Sequence, residues 1–174
     1  SFFNLKFDVA LDLADPGAYM AAYEKPREGR YGAIILGDRF LREKGNEPFG
    51  LLKTAGILSH ECAHVFQVRY GTDRQLLGSK GQVRMVELHA DYMSGGYIAW
   101  RSEFLRSKPV EVAAMFYSLG DTFVHSNQHH GTHSERFRAF RAGYEAYFEM
   151  RKTNQGVTVE MLAEKGLDDV LAAF

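Results

Sequence analysis

The stretch ILSHECAHVF contains three side chains that could do chemistry together: His60, Glu61 and His64, in the pattern HExxH. On a helix, residues four apart share a face, so the two imidazoles could hold one metal ion from adjacent turns. Glu61 would project beside that ion, where it could take a proton from a water. A catalytic zinc takes three protein ligands and keeps a fourth position for water or substrate. The third ligand therefore decides whether the pattern means anything. Extending it to HExxHxxGxxH fails, because Gln67 stands where glycine is required and Tyr70 where histidine is required. Cys62, the single cysteine, lies inside the motif and faces off the metal side, as a small core residue would. The stretch VELHADYMSGG supplies the remaining option: Glu87, 23 positions beyond His64, with Asp91 one helical turn further on. Glu87 would offer a carboxylate oxygen. Asp91 would accept a hydrogen bond from a ligating histidine and fix its orientation. Gly95 and Gly96 extend that face without side chains, which would let the two site-bearing helices pack closely. His89, two residues from Glu87, faces away.

The elements that must position these residues are mostly helices. A long three- and four-residue periodicity runs from Phe49 to a stop at Gly71. A second long helix covers VRMVELHADYMSGGYIAWRSEFLR, and a third opens at Pro109 and runs through Val124. A fourth follows SNQHHGTH, with Ser134 as its cap, and TVEMLAEKG and LDDVLAAF close the chain as two short helices. DPGAYMAAYEK reads as a short helix with Asp15 as cap and Pro16 in its first turn. RYGAIILGDRFL reads as a strand ending in a turn at Gly37-Asp38, EKGNEP as a loop, and GTDRQLLGSKGQ as loop or irregular turn. Phe137, Phe140, Tyr144, Tyr147 and Phe148 fall at helical spacing and read as core. His125, His129 and His133 suggest either a polar loop over a cleft or a second metal site.

HECAH followed by ELHAD resembles the gluzincin metallopeptidases, and among them is most similar to the neutral zinc metallopeptidases of the heat-shock and CAAX-prenyl types. Those peptidases carry, after the ligand helix, a histidine followed six residues later by an arginine at a helix start. HHGTHSERFRAF gives His130 and Arg136 that spacing, with Gly131 where the family often has proline. The likeness covers roughly residues 31 to 145. It implies an α+β, helix-rich, zincin-like fold, with a small sheet near the N-terminus packed on the active-site helix and the third-ligand helix. It also implies one zinc ion per chain on His60, His64 and Glu87, with Glu61 as general base and His130 or Arg136 near the oxyanion. Residues 31 to 37 would be the sheet edge that holds an extended peptide or unfolded protein substrate. On their own chemistry, His130 is also readable as a polar loop residue and Arg136 as a structural ion-pair partner. Ligand type favours zinc over cobalt or manganese.

The whole chain sets the bounds. Its 174 residues fit a single domain, residues 1–174, with a sizeable core. Net charge is -1, so no charge imbalance points to nucleic acid or anionic membrane. The basic residues of SERFRAFRAGYEAYFEMRK interleave with Glu135, Glu145 and Glu149, as on a solvated, salt-bridged helix face. No apolar run reaches the roughly 20 residues of a membrane-spanning helix. The start at Ser1 reads as a processed or truncated form, with any targeting or anchoring segment removed. Similar peptidases are often exported or membrane-anchored, which implies an extracytoplasmic location. The expected function is a zinc metalloendopeptidase. The alternatives are a zinc hydrolase of a non-peptide amide and a zinc-binding pseudoenzyme that binds a partner along its sheet edge. Oligomeric state is not encoded in readable form.

Overall fold

The computed structural model describes residues 2–13, 17–78, 82–102, 109–124, 126–153 and 156–174. Three strands come first: β1 (Asp8–Asp12), β2 (Ala18–Arg27) and β3 (Arg30–Gly37). Seven helices follow: α1 (Asp38–Asn46), α2 (Gly50–Tyr70), α3 (Thr72–Leu77), α4 (Arg84–Ser102), α5 (Pro109–Ser118), α6 (His133–Thr153) and α7 (Val159–Ala173). The architecture is α+β and helix-rich. The sheet order is β1-β3-β2, with β3 parallel to β1 and antiparallel to β2.

The sheet departs from the sequence expectation in two ways. Ala18–Arg27 is a strand, not a helix, and the proposed cap residues Asp15 and Pro16 lie outside the described residues. The alanines favour helix, but intrinsic propensity is a weak preference. Pairing of Ala18–Ala22 with Gly32–Leu36 satisfies the backbone instead, and tertiary context overrides propensity. The β2–β3 hairpin closes at Glu28 and Gly29, both at positive φ (50° and 79°), as a two-residue primed turn requires. The second departure concerns β3. Residues 31 to 37 form the middle strand, paired on both sides, so they are not the sheet edge; β2 is the edge that borders the cleft described below.

Among the helices, α2 spans the expected length. It ends at Gly71, whose φ of 72° allows its N–H to bond the Gln67 carbonyl. Gly37-Asp38 does not turn into a loop: Asp38 opens α1, braced by Arg42–Asp38 and Arg39–Glu43 pairs, with Phe40 buried. Thr72–Leu77 is a short helix where a loop or irregular turn was expected. The expected end of α4 beyond Ser102 lies outside the described residues, and α5 stops at Ser118, short of Val124. Thr132, not Ser134, caps α6. The Glu135 N–H bonds Thr132 Oγ1 at 3.3 Å and the Thr132 N–H returns to Glu135 Oε2 at 2.8 Å. The last two expected helices are one, α7, because Gly166 lets its middle turn rest against the Tyr92 ring.

The core brings α4 to the centre, against α2, α6 and α7, while α2 also packs on β2 and β3. α2 meets α4 through small residues. Ser59 Oγ and Ser94 Oγ lie 2.6 Å apart, and Ser94 Oγ donates to the Gly56 carbonyl at 2.9 Å. Gly95 and Gly96 do allow close packing, but against other partners than expected. A Cβ at Gly95 would lie 2.0 Å from the Phe140 carbonyl oxygen of α6, and one at Gly96 would lie 2.1 Å from Leu162 of α7. On α6, Phe140 and Tyr147 are buried and Phe137 and Tyr144 pack on the core, as their spacing predicts.

Candidate metal centre

Helix α2 presents Ile57, His60, Glu61 and His64 on one face, and α4 presents Glu87 and Asp91 on the face opposite it. Three donor groups converge. His60 Nε2 lies 3.0 Å from His64 Nε2 and 3.3 Å from Glu87 Oε2, and His64 Nε2 lies 3.4 Å from Glu87 Oε1. Zinc–ligand bonds of 2.0–2.2 Å in a tetrahedron put donors about 3.3–3.5 Å apart, so this spacing fits one small cation. The donor chemistry fits as well: two imidazoles and one carboxylate are a ligand set that zinc takes, with a fourth position left open. Among the described residues, these are the three side chains whose donors gather within 4.8 Å.

Burial sharpens the charges. It opposes ionisation of His60, but the Asp91 and Glu87 carboxylates outweigh it and raise this ring to about 10. Glu87 is buried too, yet His64, His130 and His60 hold its carboxylate well below the ordinary value. Glu61 behaves oppositely. Burial raises its carboxyl, only partly offset by the two histidines, while the Met20 N–H of strand β2 donates to it.

Asp91 is fully buried. Its Oδ1 lies 2.9 Å from His60 Nδ1, off the line of a straight N–H bond, so that buried nitrogen has no aligned acceptor. Arg136 at the start of α6 grips Asp91 with two bonds, Nε to Oδ2 at 2.5 Å and Nη2 to Oδ1 at 2.8 Å. Its remaining nitrogen, Nη1, lies 3.4 Å from Glu87 Oε2. Arg136 is thus brought behind the donor cluster as an ion-pair partner. His130 is half-exposed and points Nδ1 at Glu87 Oε2 from 3.6 Å, a carboxylate that raises its pKa. Gly131 adopts φ 103°, a backbone conformation that glycine takes freely and proline cannot reach.

No protein-family model, curated protein or solved structure matches this chain.

Two residues that sequence reasoning missed shape the site. Gln67, considered only as a failed glycine, accepts from His64 Nδ1 at 2.8 Å through Oε1. Its place three residues after His64 puts it on the same helical face, but its other partners lie on α4 and are not encoded in that spacing. Asp121 organises the loop before α6: it bonds His129 Nδ1 at 2.5 Å and the His130 backbone N–H at 2.8 Å. No spacing rule announces it. His133 bonds the Tyr117 carbonyl and His125 lies outside the described residues, so the histidine-rich stretch gathers no metal-like donor set among the described residues. His89 is buried behind the centre, where burial lowers it to about 4, and Cys62 packs on the core with its thiol pushed up to about 12.

A cleft of about 490 Å³ opens over the donors. Strand β2 contributes Ala18, Tyr19 and Met20 to it, and Phe40, Ile57 and Met115 form an apolar side. A cavity of similar size, about 480 Å³, lies between α6 and α7; on its rim Arg141 pairs with Glu145, Asp169 with Lys165, and Arg138 donates to the Ala173 carbonyl.

Proposed function

We propose that this chain is a zinc-dependent endopeptidase of the gluzincin kind, acting on extended or unfolded polypeptide. The observation that carries the reading is the convergence of His60, His64 and Glu87 at cation-binding spacing, with the buried carboxyl of Glu61 beside them in an open cleft. Zinc held by those three residues supplies Lewis acidity, lowering the pKa of a water from 15.7 to about 7 and polarising a carbonyl oxygen.

The chain's own residues do the rest. Glu61 takes the proton of the attacking water and returns it to the leaving amine, a role suited to a carboxyl raised by burial. The edge of β2 offers backbone groups to an extended substrate, which favours a peptide over a compact amide. His130 stands on the cleft wall, where a half-exposed ring with raised pKa can donate to a carbonyl oxygen. Arg136 acts behind the donors, holding Asp91 and through it His60.

Cleavage of an unfolded protein by the purified zinc-loaded chain tests this. Glu61→Gln should keep its zinc and lose about 10²–10⁴-fold in rate. If wild type and variant hold zinc and neither cuts, the hydrolase reading fails and a zinc-bound interaction domain takes its place.

A further inference from the structure

His64 has a support unlike that of His60. Its Nδ1 meets Gln67 Oε1 at 2.8 Å. Gln67 Nε2 meets the Val86 carbonyl at 2.8 Å and His89 Nδ1 at 3.0 Å. His89 Nε2 meets the Ala163 carbonyl of α7 at 3.0 Å. Gln67 and His89 are both fully buried, so no water can substitute for a missing bond.

Two backbone carbonyls dictate every proton in this chain. A carbonyl only accepts. The Val86 oxygen therefore requires the NH₂ end of Gln67, which turns the amide oxygen toward His64. That oxygen also only accepts, so His64 carries its proton on Nδ1 and leaves Nε2 bare toward Glu87 and His60. At the far end the Ala163 oxygen requires a proton on His89 Nε2. His89 Nδ1 is then bare and accepts the second hydrogen of the Gln67 amide. Donors and acceptors match at every link.

We propose that Gln67 and His89 are positioning residues for the metal centre: a neutral relay that locks His64 with Nε2 free to bind metal and ties that ligand to helix α7. The proposal rests on the metal-centre reading above for its purpose, though not for its test. It predicts an asymmetric site, in which His60 is backed by the charged Asp91–Arg136 pair and His64 by an uncharged amide.

The test is the ring-nitrogen NMR spectrum of the ¹⁵N-labelled wild-type chain, with and without one equivalent of zinc. The expected result is a proton on Nδ1 of His64 and on Nε2 of His89. The opposite tautomer at either ring overturns the relay. This readout needs neither substrate nor bound metal, so its failure is distinct from failure of the hydrolase reading. Zinc competition against a chelating dye gives a second arm. Gln67→Met keeps side-chain volume and removes the bonds, and should weaken zinc about 10–100-fold while the His64 Nδ1–H signal disappears. An unchanged zinc affinity in that variant also overturns the proposal.

Discussion

Asp91 is a carboxylate with no access to water, and Arg136 is the charge that compensates it. Removing one partner of such a pair leaves an unpaired buried ion, at a cost of about 3–5 kcal/mol. Arg136→Met should therefore lower the unfolding free energy by about that amount, read from a urea titration, whereas a purely catalytic arginine would leave stability unchanged. At this scale much of the candidate site could be read from the chain. His60, Glu61, His64, Glu87 and Asp91 sit at spacings that a helix converts directly into shared faces, so five positions could be placed without knowing the fold. Gln67 and Asp121 could not. Gln67 matters through Val86 and His89 of α4, the second of which is bonded in turn to α7, and Asp121 through a loop whose path no periodicity encodes.

The elements hold the site by contact between backbones. A Cβ on Gly143 of α6 would sit 1.8 Å from the Tyr92 carbonyl oxygen of α4, so no rotamer change can relieve the clash. Gly143→Ala should push α4 and α6 apart and cost at least about 1–3 kcal/mol, measured as a fall in Tm. Gly45 in α1 is the counterexample: nothing lies within 4 Å of its would-be Cβ. Gly45→Ala should raise stability by about 0.5–1 kcal/mol in the same assay. Long helices such as α2 and α4 were legible because many turns repeat one apolar period. Strand β2 was not, since its alanines point to helix and its pairing with β3 is decided at a distance. α1 was obscured by Gly45 and by a sequence too polar to display a period, while α7 was split in expectation by Gly166, a residue that serves packing.

For the molecule as a whole, the loop and helix start around the cleft depend on two carboxylates far from their ordinary behaviour. Burial opposes ionisation of both. Even so, Arg84 and Thr132 hold Glu135 down to about 2, and the His130 N–H with His129 holds Asp121 to about 2. Their ordinary values are 4.5 and 3.8, so on acidification the unfolded chain binds protons first. Their contribution is complete above about 4.5 and is lost as pH falls toward about 2. Urea midpoints should accordingly drop between pH 5 and pH 3, by less in Glu135→Gln, the expected slope following from that linkage. Among the described residues no helix is long and apolar enough to cross a membrane. The account turns on one claim, that His60, His64 and Glu87 hold a metal ion. The most direct check is the zinc content of the purified chain after exhaustive dialysis, measured beside His64→Ala and Glu87→Ala with folding confirmed by circular dichroism. One zinc per wild-type chain, lost from both folded variants, is the predicted result; a folded wild type that takes up no zinc, or variants that retain it, would contradict the account.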